Sequence, residues 1–160
     1  MSTQYQRGIT TVVVAVAMVA VLAIAGLALD ISHLTRNKSG LQSSIDAAAL
    51  AAAKVLDQTN SPGAATTAAN NTWVTNAAAF PELNQALAGM TLTVQYSNTL
   101  NPFAPGSLPD RYVRVIGTNF QMNTSLSRVL AIHTLTTRAS AVAGPSPAIG
   151  SACNLAPMLV

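Results

Sequence analysis

Two histidines, one cysteine and five carboxylates are the residues with which this 160-residue chain could do acid–base, nucleophilic or metal chemistry. His33 and His133 fall on different expected elements, and neither stands beside a serine and an acid in a hydrolase-type motif. Cys153 follows a proline-rich stretch near the end of the chain, where a thiol paired with His133 would be poorly held, and as a lone cysteine it excludes an internal disulfide. Zinc needs three or four close ligands, and one cysteine with two distant histidines falls short. No glycine-rich phosphate loop follows an expected strand. These residues point away from an enzyme and imply no cofactor and no metal.

Composition limits the alternatives further. Charged residues are 8 % of the chain, well under the usual quarter, and the mean hydropathy is +0.39. The net charge is +3. However, Arg7, Arg36, Lys38, Lys54, Arg111, Arg114, Arg128 and Arg138 form no run, and Trp73 is the only tryptophan available for stacking. The pI of about 9.5 therefore reflects few charges of either sign, and nucleic acid is not an expected partner.

The element that must carry everything else is Gly8 to Asp57. Its first part, the 21 residues from Ile9 to Leu29, has no charge and two hydroxyls. As a helix it would be roughly 31 Å long, close to the hydrocarbon thickness of a bilayer. Asp30 ends the apolar run where a carboxylate is cheap at an interface and costly a turn deeper, so it sets the depth of the helix. Helix-compatible residues continue without proline to Pro62, with a bend expected near Ser39-Gly40. Leu34, Leu41, Ile45, Ala48, Ala52 and Val55 step by 7, 4, 3, 4 and 3, one helix face. Alanine fills six of the seven places from Ala47 to Ala53, leaving a slim face for a sheet or a second helix.

Met1 to Gly8 reads as a short leader. Ala23-Ile24-Ala25 could serve a signal peptidase, but the apolar run is longer than a secretory core, which favours a retained anchor. Arg7-Gly8 is similar to a prepilin cleavage site; fibre pilins carry a glutamate five residues after the glycine, and here that place is Val13. Counting Lys and Arg alone favours a cytoplasmic C-terminal side, whereas the Ala, Thr, Asn and Ser-rich remainder favours export.

Beyond the stalk, Ser61-Pro62 predicts an N-cap and first turn, with Ala65, Ala69, Trp73, Ala77 and Phe80 on one helix face and Pro81 as the stop. Glu82 to Ala88 allows a further short helical turn. After Gly89 the period becomes two: Thr91 to Tyr96, Arg111 to Phe120 and His133 to Ala143 read as strands. A proline-rich loop spans 98–110, and Asn123 or Thr124 caps a short helix with Leu126, Val129 and Leu130 inward. The expected fold is α+β, a long N-terminal transmembrane helix continuing into a stalk packed on a small antiparallel sheet. Residues 1–8 are the leader, 9–29 the span, 30–143 the outer domain, and 144–160 a linker ending either in an edge strand or in a truncated continuation.

One stretch carries a resemblance. Arg7-Gly8, Gly26-Leu27-Ala28-Leu29-Asp30, Leu41-Gln42 and the run Asp46, Ala47, Ala48, Ala49, Leu50, Ala51, Ala52, Ala53 follow, in order, the pattern of TadG-like proteins of the Tad (tight adherence, Flp pilus) assembly system. Ser125 to Leu130 and Cys153 to Pro157 are similar to such proteins less distinctively. The resemblance implies a single-pass protein of the bacterial inner membrane, pilin-like in fold, whose C-terminal domain, periplasmic or otherwise extracytoplasmic, helps build or anchor a pilus. The expected partners are the lipid bilayer and other Tad pilus-assembly proteins or pilins, and self-association is open to it. Gly26, Asp30, Leu41, Gln42, Asp46, Ala47, Ala48, Leu50 and Ala51 are the packing residues it singles out. Larger relatives carry a metal-binding domain opening Asp-x-Ser-x-Ser; Asp30-Ile31-Ser32-His33-Leu34 fails at the last place, so no metal-dependent adhesion follows. The alternatives are an anchored adhesin-like module binding through the 98–110 loop, and a secreted domain freed by leader cleavage.

Overall fold

A single helix dominates the architecture because nothing in its sequence interrupts it. The computed structural model describes residues 4–124, 128 and 131–146, with side chains from Gly8 onward. Helix α1 runs Gln4–Thr59, 56 residues without a break, which corresponds to about 84 Å of rod. It ends where Asn60, with a φ of 51°, turns the chain back. Ser61 then caps α2, Pro62–Ala77, its side chain accepting from the Ala64 amide, and proline opens the first turn as expected. Helix α3, Pro81–Ala86, and a 3-10 turn at Leu87–Gly89 follow.

The sheet is three-stranded and antiparallel in the order β1-β2-β3, with β1 at Thr91–Ser97, β2 at Tyr112–Asn123 and β3 at Thr134–Ala143. The α+β class is therefore the one expected. β2 is longer at its far end than the alternation predicts, because the period breaks at Thr118-Asn119. There a bulge inserts one residue against β3, between Gly117↔Ala139 and Phe120↔Thr137. Asn119 takes a φ of 63° and donates to the Gly89 carbonyl. The parity change is what lets Val113 and Val115 before it, and Phe120 and Met122 after it, all point inward.

The core lies where the second half of α1 meets both α2 and the sheet. Leu41, Ile45, Ala48 and Ala52 are fully buried, as their spacing predicts. Ala49, Ala53 and Leu56 are buried as well, on positions rotated by roughly 60–120° from the Leu41 line. The helix is thus covered on two sides, by α2 and by β2 and β3. Alanine loses no rotamer freedom on burial, so this close packing is bought with little side-chain entropy. Ala65, Ala69, Trp73 and Ala77 form the buried stripe of α2.

Gly40 does not end or divide the helix. A Cβ there would stand 2.9 Å from Cδ1 of Phe80, so the glycine admits the phenyl ring that closes the α2–α3 corner. Its role is close approach in a helix that runs through it without a break. The short helix expected after Thr124 lies outside the described residues, as do Cys153 and the C-terminal stretch from 147. Thr124 itself donates from its hydroxyl to the Ile132 carbonyl and from its amide to His133.

Candidate assembly surface

The side chains from Ile9 to Leu29 decide what the first half of α1 can do. Val12, Val13, Val16, Val19, Val21, Leu22 and Ile24 are each more than half exposed to the surroundings, and no element of the head covers them among the described residues. The segment has a mean hydropathy of 3.0 over its most apolar window. Exposing this many valines, leucines and isoleucines to water is unfavourable by roughly 25 cal/mol for each Å² of apolar surface. Length, composition and exposure make the helix compatible with a membrane anchor. Gly26 and Asp30 differ from their neighbours: both are buried, Asp30 being 6 % exposed and not without a partner. The acid is therefore sheltered from water at the end of the apolar run.

Residues 8–55 match the model of the Tad family, putative Flp pilus-assembly TadE/G-like. The Tad match thus covers the apolar half of α1 and most of the stalk, and ends before α2 and the sheet. No curated protein and no solved structure matches the chain. The match over this segment supports a role in pilus assembly, in association with other pilus-assembly components in general.

The residues singled out within the Tad stretch take three different positions. Leu41 and Ala48 are core. Ala47 and Ala51 are half-buried along its margin. Gln42 uses one amide nitrogen twice, donating to Asp46 Oδ1 at 2.8 Å and to the Ser140 carbonyl at 3.1 Å. It so ties the stalk to the backbone of β3, a strand with no partner beyond it in the sheet. Leu50 points away from the core and is 68 % exposed, flanked on its face by Asp46 and Lys54. Together these residues build the stalk and leave Leu50 as an outward-facing apolar side chain.

Two clusters had no motif to announce them. His33 Nε2 lies 2.8 Å from Glu82 Oε1, while Asn37, only 8 % exposed, donates to the other Glu82 oxygen and to the His33 carbonyl. This ties α3 to the start of the stalk, beside an open cleft of about 430 Å³ lined by Gln85, Gln121 and Asn123. The His–Glu pair is half open to water and contributes little by itself. At the other end, the 98–110 loop is ordered around Ser97. Its buried hydroxyl donates to the Thr99 carbonyl and accepts the amides of Thr99 and Ala104. Arg114 stacks 4.2 Å from the centre of the Phe103 ring and donates to Gln95 Oε1, fixing the loop on the outer face of the sheet. Leu100 and Leu108 remain exposed there. No group of three or more potential metal ligands occurs among the described residues.

Proposed function

We propose that the chain is a membrane-anchored structural subunit of Tad (Flp) pilus assembly, working by packing against neighbouring subunits. The observation that carries this is the bare apolar helix from Ile9 to Leu29, continuous with the stalk and lying inside the Tad-matching segment. The span crosses the bacterial inner membrane once, and the α+β head stands on the extracytoplasmic side, in keeping with its neutral, Thr- and Asn-rich surface. Asp30 marks the depth at which the helix leaves the lipid. The stalk meets other Tad components or further copies through the Leu50 face. The chain acts as a scaffold, without catalysis.

The test is membrane extraction combined with photocrosslinking in a piliated host. The reading expects the full chain to resist alkaline carbonate, an alkaline phosphatase fused after Ala143 to be active, and a crosslinker at Leu50 to capture pilus-assembly proteins. Release by carbonate, an inactive fusion, or crosslinks that leave Tad components untouched while piliation survives deletion of the chain would sink it. Leu100 and Leu108 on an ordered loop favour a second reading, an anchored module that binds a target at the far end of the head. In that case replacing both leucines with serine abolishes target binding and leaves pilus assembly intact.

A further inference from the structure

The few charges of the head are sorted along α1. At the end nearest the apolar helix, Arg36, Lys38 and Arg128 are exposed and no carboxylate among the described residues pairs with them; His33 and His133 lie at the same end. Arg128 belongs to the β2–β3 connection, which opens at Asn123 beside His33. The acids near this rim are Glu82, occupied by His33 and Asn37, and the buried Asp30. At the opposite end Asp57 and Asp110 sit together with Arg111 around a small cavity. The rim is therefore positive, and the far end is not.

Arg36 also lies in a groove. Ser32, Thr35, Arg36, Ser39, Gly40, Ser43 and Phe80 line an open depression of about 780 Å³. Ser32, Arg36, Ser39 and Ser43 follow one another at steps of four, three and four, so a guanidinium stands between hydroxyls on one helix face. Buried Ser44 returns its hydroxyl to the Gly40 carbonyl and Thr35 to Ile31, whereas Ser32, Ser39 and Ser43 hold no such bond among the described residues. Arg36 lies seven residues past Leu29, about 10 Å along the helix, within side-chain reach of a headgroup layer several ångströms thick.

We propose that this rim binds the headgroups of anionic phospholipids, with Arg36 and the flanking serine hydroxyls as the principal seat and Lys38 and Arg128 as outer contacts. The inference rests on the reading of Ile9–Leu29 as a membrane span. It gives Arg36 and Lys38 a lipid partner on whichever side of the membrane the head stands, so their count need not report topology.

The experiment is native mass spectrometry of the full chain in uncharged detergent, offered equal amounts of phosphatidylglycerol and phosphatidylcholine. Wild type is expected to retain phosphatidylglycerol several-fold over phosphatidylcholine, and each of Arg36→Gln, Lys38→Gln and Arg128→Gln to weaken that preference, by up to about fivefold each. Arg114→Gln with Arg138→Gln, a charge change on the sheet, should leave the preference in place. Millimolar inorganic phosphate should not compete. Equal retention of the two lipids, a preference surviving in the triple variant, an equal loss in the sheet control, or displacement by free phosphate would each overturn the proposal. Carbonate extraction of the same protein separates the two failures: a chain that inserts but shows no lipid preference refutes only the rim, whereas one that is extracted refutes the span.

Discussion

Gly117 of β2 lies directly under Ile45 of α1: a Cβ added to the glycine would stand 2.9 Å from the isoleucine Cδ1. The contact fixes how near the sheet comes to the stalk, since Leu41 approaches the same point at 3.8 Å. Gly117→Ala is expected to lower stability by about 1–3 kcal/mol through overpacking. Ile45→Val in the alanine background should recover part of that loss. Urea unfolding of the head checks both, and a neutral Gly117→Ala would mean the sheet can shift outward freely.

Asn37 and Glu82 join α1 to α3 through a nearly buried amide. Asn37→Ala should cost about 1–3 kcal/mol, because Glu82 and the cleft lose a desolvated donor. His33→Ala, acting on the half-exposed pair, should cost under about 1 kcal/mol. A double-mutant cycle of Asn37→Ala with Glu82→Ala should show coupling of about 0.5 kcal/mol or more. Additive losses would count against a shared network.

The Tyr96 hydroxyl donates to the Pro62 carbonyl at 2.7 Å and shares a 2.6 Å hydrogen bond with Thr66. Burial pushes the phenol above its ordinary 10.0, against the Thr66 bond and with some help from Asp110. Between pH 10 and the folded value, the unfolded chain has lost this proton and the folded chain has kept it. Stability from this group is therefore full below about pH 10 and lost as pH rises through the folded value. Tyr96→Phe should flatten the alkaline limb of a pH–stability curve while costing stability at neutral pH, where its hydrogen bonds are missing. Superimposable limbs would show that Tyr96 is not the titrating group.

Leu50 supports nothing inside the head. Leu50→Ser should change stability by less than about 0.5 kcal/mol. If the stalk face is the contact surface, the same change should lower crosslinking to neighbouring subunits several-fold, read on blots from piliated cells. Unchanged crosslinking would move the contact to another face.

The helical part of this fold was readable because its signals are local. Ser61-Pro62 caps where it should, the Ala65–Ala69–Trp73–Ala77 stripe is the buried one, and Leu92, Val94 and Tyr96 alternate inward. What escaped was tertiary. Gly40 was weighed as a helix weakness when its neighbour is a phenyl ring from the α2–α3 corner. Asn119 hides a bulge that lengthens β2, and a parity change cannot be told from a strand's end by alternation alone. His33, Asn37 and Glu82 meet across 45 residues of chain with no spacing rule to bring them together. Of the residues marked by the Tad pattern, Leu41 and Ala48 are core, whereas Asp46 and Leu50 are exposed, Leu50 being the apolar one of the two.

The absence of any joint in α1 makes it a drive shaft. From Gln4 to Thr59 one hydrogen-bonded rod carries both the apolar segment and the head clamped to its far half. Turning the rod by one residue position swings the head by about 100°. On the proposed membrane reading, a neighbour that selects one side of the apolar segment also selects which side of the head it meets. If the apolar segment spans a membrane and the chain assembles as proposed, the azimuth of each head is set from inside the membrane, and a twist applied at either end arrives at the other.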